Sequence, residues 1–272
     1  MRNSRIRLTH FFLAVFSLFA LWVFPAEAAT IRINAPKIQL ELEPGAAYTG
    51  EIIAENPTGE ETKAKIYLED WVYAPGGTGE KIFSPAGSTP LSAGKWIAFS
   101  PAEETIKPFG RSIIRYTVKV PPDAKGTHYA VLFLETILGA QTNEEGVNVL
   151  VAGRIGALFF IEIKGTTQRG GEIRSLELKP PQGNSPLEIM TDFENTGSVD
   201  MTLGGNFLVM DKVEKIVGRG QLNKIYLFPG RREKGVTQWI GRLPEGEYKI
   251  LLTYDLGKGQ SLVEERSFVV SG

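Results

Sequence analysis

Apolar residues recur along this chain with a period of two, the spacing of β-strands with one face buried. Ile38, Leu40 and Leu42 alternate with polar neighbours. Ala64, Ile66 and Leu68 alternate with Lys63, Lys65, Tyr67, Glu69, Trp71 and Tyr73, which assigns the small aliphatic set to a core and the second set to the opposite face. Ile114, Tyr116, Val118 and Val120 alternate with Arg115, Thr117 and Lys119. Further strands are predicted at Ile31–Ile33, Tyr48–Glu55 and Trp96–Phe99, and at 129–138. A long strand region runs from Val147 to Ile163, with Gly153 and Gly156 marking a bulge or bend. Turn clusters separate these runs: Pro44-Gly45, Asn56-Pro57-Thr58-Gly59, Pro108-Phe109-Gly110 and 121–126. Residues 74–95, rich in Gly, Pro and Ser, show no periodicity and read as a long loop, and 139–146 reads as a polar loop.

The same grammar returns after a linker at 165–171. Glu55-Asn56-Pro57-Thr58-Gly59 corresponds to Glu194-Asn195-Thr196-Gly197. Pro108-Phe109-Gly110-Arg111 corresponds to Pro229-Gly230-Arg231. Val120-Pro121 with Gly126 and Tyr129 corresponds to Leu243-Pro244 with Gly246 and Tyr248. Three ordered matches, each at a turn between strands, predict a tandem repeat. The fold class is therefore all-β, with two tandem immunoglobulin-like β-sandwiches at 29–164 and 172–272. Tyr129 follows a Pro/Gly corner, the position of a tyrosine corner, where its hydroxyl would tie the corner's own backbone.

Residues 1–28 change the picture of location. Arg2, Arg5 and Arg7 precede a 14-residue apolar run, Phe11–Phe24, and Ala26-Glu27-Ala28 offers a small-x-small cleavage site. The run is short of the roughly 20 residues of a membrane-spanning helix, so it reads as a secretory signal peptide. No other stretch is long and apolar enough to span a membrane. The whole chain has 30 basic and 31 acidic side chains; without 1–28 the balance is 27 against 30, a net charge of −3. That balance speaks against nucleic acid and against an anionic membrane surface. The absence of cysteine removes disulfides, thiolate metal ligands, a thiol nucleophile and a lipoprotein anchor.

Candidate chemistry is sparse. After the signal there is one histidine, His128, beside Tyr129 at the start of an apolar strand and with no G-x-S-x-G motif to serve. One histidine without cysteine is a poor basis for zinc. The carboxylate pairs Glu69-Asp70, Glu103-Glu104 and Glu264-Glu265 are sequence neighbours, which point to opposite faces of a strand and so do not form a glycosidase pair. Two binding candidates remain. Trp71, Tyr73 and Trp96 flank the 74–95 loop and Phe83 lies inside it; exposed, they would stack on sugar rings or partner side chains, and covered, they would seal the edge of the sandwich. Val147, Val149 and Val151 share one side of a strand; at a sheet edge that strand could pair with a partner's, and otherwise its stripe faces its own core.

Residues 31–164 resemble the N-terminal domain of periplasmic pilus-assembly chaperones (PapD-like) in ELEPGAAYTGEIIAEN, IKPFGRSIIRYTVKVP, and YAVLFLET followed by NVLVAGRIGALFF. They are also similar to the N-terminal domain of WxL-interacting proteins in GKWIAFSP, IKPFGRSIIRYTVKVP and GTHYAVLF. The first resemblance implies two immunoglobulin-like domains in an L and binding by a donated strand. The second implies a first domain that binds peptidoglycan and a second that binds other partners. The Arg and Lys with which usher-pathway chaperones clamp a subunit's terminal carboxylate have no match here. Ala157 stands at the Lys position and Ile38–Leu40 holds no Arg, which leaves Arg154 as the nearby base. The aligned donor row, Leu150, Ala152 and Arg154, also departs from large aliphatics. Ser267–Gly272 carries neither the transmembrane helix nor the basic tail of the WxL-interacting family.

The leading expectation is an exported, non-enzymatic binding protein of the bacterial cell envelope, periplasmic or extracellular, without a cofactor. It would recognise a protein partner or a peptidoglycan-type glycan. The alternative is a divergent periplasmic assembly chaperone that donates a strand from 147–151. A third reading, a carbohydrate-active enzyme, lacks its site constellation.

Overall fold

Two β-sandwiches follow one another in the computed structural model, which describes residues 31–142, 147–183 and 185–271. The expected signal at 1–28 and part of the expected 139–146 loop lie outside the described residues. The first sandwich contains β1 (Arg32–Ile33), β2 (Lys37–Leu42), β3 (Ala47–Glu55), β4 (Thr62–Tyr73), β5 (Lys81–Pro85), β6 (Ile97–Ser100), β7 (Glu103–Ile106), β8 (Arg111–Lys119), β9 (Thr127–Thr142) and β10 (Asn148–Ile163). One sheet has the order β1-β3-β8-β6, the other β2-β10-β9-β4-β5, with β7 on the start of β4. All pairings are antiparallel except β2 with β10. Alternation does what the sequence requires: Ala64 and Ile66 enter the core with Ile52, Ile114, Val118, Leu132, Leu134, Phe159 and Ile161.

The second sandwich contains β11 (Gly171–Lys179), β12 (Leu187–Asn195), β13 (Met201–Asp211), β14 (Ile216–Gln221), β15 (Ile225–Leu227), β16 (Arg232–Trp239), β17 (Gly246–Gly257) and β18 (Gln260–Val270). Its sheets run β11-β12-β16 and β14-β13-β17-β18, with β15 on β13. This follows the plan of the first sandwich without counterparts to β2 and β6: β3, β4, β7, β8, β9 and β10 correspond to β12, β13, β15, β16, β17 and β18. The repeated asparagines show why the turn motif recurs. Asn56 Nδ2 donates to the carbonyls of Glu60 (2.6 Å) and Ile106 (3.1 Å), and its Oδ1 accepts from Thr58 N–H. Asn195 donates to Val199 (2.8 Å) and Leu227 (3.4 Å) and accepts from Gly197 N–H. Each buried amide thus satisfies the backbone of its corner and of the short strand beside it.

Three expectations are corrected. Residues 74–95 are not one loop: β5 pairs with the end of β4, Trp71 opposite Phe83. The glycine-rich turn hid a strand that only its partner reveals. Positive φ at Gly76, Gly77 and Gly79 (102°, 67° and 83°) shapes that turn. The polar stretch from Gly139 to Thr142 continues β9, because Asn148–Val151 of β10 supplies its ladder. Tyr129 does not tie its own corner. Its hydroxyl donates to Asp200 Oδ1 (3.3 Å) and accepts from Asp200 N–H (2.9 Å), in the second sandwich.

That bond belongs to a packed interface between the sandwiches. Trp71, 1% exposed, sits among Tyr129, Phe160 and Phe228 with ring centroids 5.1–5.5 Å away, all edge-on. Its indole N–H donates to Ala130 O (3.1 Å). The 74–80 turn straps across: Tyr226 N–H donates to Gly77 O, and Gly76 N–H to the Glu233 carboxylate. A side chain at Gly79 would collide with the Tyr226 ring.

Candidate functional site: the open edge of β10

The two 16-residue strands β9 and β10 form one hairpin. Near its base, β10 is a central strand, with β9 on one side and Lys37–Leu42 of β2 on the other at residues 158–163. Beyond Leu158 towards the tip, β10 keeps β9 alone among the described residues, so Leu150–Ala157 forms an open edge. The hydrogen bonds that do form fix which groups face it. Leu158 N–H donates to Pro36 O and Lys164 N–H to Leu42 O, while Ile163 N–H turns the other way, to Gly126 O. Even-numbered backbone groups therefore point to the β2 side, and Ala152, Arg154 and Gly156 present theirs to the open edge. The register shift between Val151 and Ala152 is accommodated by Leu138 on β9, so the alternation of β10 is unbroken.

Side chains follow the same alternation. Ala157, Phe159, Ile161 and Ile163 lie in the sandwich core. Ile155 packs against that core, and Val147, Val149 and Val151 continue the row towards the hairpin tip. Val147 is 54% exposed, Val149 46%, Leu150 67%, and on β9 Ile137 is 66% exposed. The result is an apolar stripe at exposed Val149 and half-buried Val151, beside a row of backbone donors and acceptors that no described strand pairs. An extended segment from another chain could complete both.

Arg154, the base considered as a carboxylate clamp, is engaged elsewhere. Its guanidinium bonds Glu69 (3.1 Å) and lies over the Phe133 ring (4.1 Å to the centroid) and the Phe83 ring (5.1 Å). It braces the outer face of the hairpin. Tyr67, whose hydroxyl donates to Glu135 (2.6 Å), joins the brace, and burial followed by the Glu135 bond raises its pKa.

The aromatic candidates divide. Trp71, Tyr73 and Phe83 come together in the cluster between the sandwiches, while Trp96 belongs to the edge of the first core and packs on His128 at 4.1 Å. Trp71 lies on the face opposite the core as the alternation requires, but the second sandwich covers that face, so it offers no ring to a sugar. His128 bridges the carbonyls of Ser92 and Lys125, and burial lowers its pKa. Of the carboxylate pairs, Glu69 holds Arg154, and buried Asp70 accepts from Gly87 N–H, Thr89 N–H and the Thr89 and Ser92 hydroxyls, pinning the loop after β5. Sequence reasoning missed the Tyr129–Asp200 bond, and it named Ala152 and Arg154 as a donor row by their side chains without the outward direction of their backbone groups. Only the residues after Leu158, paired to β2, could have shown that parity.

No family model matches the chain, and no curated protein does. Among solved structures the likeness is to PapD-like fimbrial chaperones, as the strand and turn motifs led one to expect. A chain of a chaperone–tip adhesin complex of CFA/I fimbriae biogenesis is 13% identical with a TM-score of 0.46, over 88% of this chain and 99% of that one. The class 5 fimbriae chaperone CfaA is 14% identical with a TM-score of 0.44, over 87% and 98%. A chain of the CsuC–CsuE chaperone–tip adhesion subunit pre-assembly complex of Acinetobacter baumannii is 14% identical with a TM-score of 0.41, over 87% and 98%. The site itself rests on the geometry of this chain.

Proposed function

We propose that this protein is an assembly chaperone of the bacterial envelope that binds a partner protein by adding β10 to the partner's sheet. The observation that carries this reading is the open edge Leu150–Ala157 among the described residues, with the apolar Val149 and Val151 beside it. An edge of this kind is an aggregation hazard unless a partner covers it. The favoured partner is an exported protein whose own sandwich lacks a strand, and fimbrial subunits, the partner class of the similar structures, are the first to test. The action is non-enzymatic and takes place after export, in the periplasm. The burial of Trp71, one of the rings considered for a glycan, favours this reading over glycan recognition.

The test is co-expression with candidate subunits from the same operon and affinity capture of the complex. Ala152→Pro removes one outward N–H while leaving the β9 ladder intact, and it should release the partner. A complex that survives both Ala152→Pro and Val149→Asp/Val151→Asp would sink strand addition. A complex lost with Ala152→Pro in a protein of unchanged melting temperature supports it.

A further inference from the structure

A cavity lies between the sandwiches on the β4–β5 side, near Tyr129 at the start of β9, whereas the open edge flanks the far end of that strand. Eight residues of strand, roughly 27 Å, separate Tyr129 from Ile137. Its volume is about 820 Å³. The walls include the rings of Tyr73, Tyr226 and Phe228 and the side chain of Leu91, with Lys125 and Arg231 at the rim. Tyr73 stands 5.4 Å from the Tyr226 ring and 5.0 Å from the Phe228 ring, and burial raises its pKa, so it stays neutral.

Two features distinguish this cleft from an idle gap. First, it is preformed. Gly76 N–H to Glu233 (2.8 Å), Tyr226 N–H to Gly77 O (3.0 Å) and Thr127 N–H to Ser198 O (3.1 Å) tie the walls together from both sandwiches. Ligand sites of this size, apolar with a few polar groups, favour domain junctions. Second, its charge is predominantly positive. Lys125 and Arg231 are exposed, and neither is ion-paired among the described residues. The one carboxylate in the lining, Glu233, accepts from Gly76 N–H and keeps its charge, so two cations stand against one anion. Aromatic edges call for a flat apolar body, and two free cations at the mouth call for an acidic group on it.

We propose that this cleft binds a small amphipathic anion: a flat apolar ring system carrying a carboxylate, sulfonate or phosphate. The site is independent of the β10 edge. The probe is 8-anilinonaphthalene-1-sulfonate, titrated into the folded chain lacking residues 1–28, with energy transfer from the tryptophans as the readout, since Trp71 lines the cavity. Saturable 1:1 binding is expected, weakened at least about tenfold by Lys125→Ala/Arg231→Ala, two exposed positions whose loss leaves the fold intact. Val149→Asp/Val151→Asp should leave the binding unchanged. Three results overturn the proposal: no saturable binding, equal affinity in the Lys125/Arg231 variant, or loss of binding in the hairpin variant.

Discussion

The two sandwiches share a plan and differ in their last hairpins. In the second, β17 and β18 pair along their length and close through Gly257, Lys258 and Gly259, all at positive φ (86°, 49° and 79°). The outer strand β18 carries Glu264, Glu265 and Arg266, with Arg266 paired to Glu264 (2.7 Å) and Glu265 to Lys249 (3.3 Å). Charges of this kind protect a sheet edge from unwanted pairing. In the first, β9 and β10 run past their sheet, and the one charge along Leu150–Ala157, Arg154, is drawn onto Phe133 and Glu69. One hairpin ends its sheet in paired charges, and the other leaves an apolar edge open among the described residues.

The corner tyrosines diverge in the same way. The Tyr248 hydroxyl donates to Pro244 O (2.8 Å), four residues back, and ties its own corner. Tyr129, its counterpart, crosses to Asp200. The motif is the same, but the first sandwich has a neighbour against that face.

The largest expected effect breaks the comparison of hairpins. Val149→Asp/Val151→Asp should weaken partner capture by at least about 100-fold, since charges buried in a strand interface lose several multiples of tenfold. Val263→Asp/Val269→Asp, at exposed positions of β18, should leave capture unchanged. Equal loss from both pairs would erase the distinction. Next, Trp71→Ala should cost about 3–5 kcal/mol in urea unfolding, because it empties the junction between the sandwiches. Tyr129→Phe should cost about 1–3 kcal/mol, since it strips a partner from the Asp200 carboxylate and backbone. Tyr248→Phe loses a single neutral bond, about 0.5–1.5 kcal/mol.

The smallest effect is in pH dependence, and its sign separates two aspartates. Burial raises the Asp200 pKa, against the opposing pull of Lys37. The folded state therefore holds the proton more tightly, and the associated stability is present below about pH 3.9 and lost as pH rises through the elevated value. The Arg232 hydrogen bond lowers the Asp192 pKa, with Arg232 2.6 Å away. Its stability is present above about pH 3.9 and lost as pH falls. Asp200→Asn and Asp192→Asn should change the slope of melting temperature against pH in opposite directions.

Much of the fold was legible in the alternation. Ala64 and Ile66 against Trp71 and Tyr73 assigned both faces of β4, and Asn56 and Asn195 marked the repeat, because a buried amide that satisfies a corner is a local requirement. β5 was not legible, since a five-residue strand after a glycine turn has no period of its own. β7 was missed for the same reason. Of the candidate site, the stripe of Val147, Val149 and Val151 was readable, but its meaning was not. An apolar stripe reads alike whether it is buried or open.

By itself, then, the sequence determined the longer strands of the first sandwich, the core face of β4 and the tandem order, all of which follow from side chains a few residues apart. Three matters waited for the tertiary structure: which face of the first sandwich meets the second, where β2 stops covering β10, and where the Tyr129 hydroxyl goes. Each depends on contacts between residues dozens of positions apart, whose pairing no local pattern encodes. Trp71 became an interface residue because Phe228 lies against it, and β10 an open edge because β2 pairs only with its last six residues.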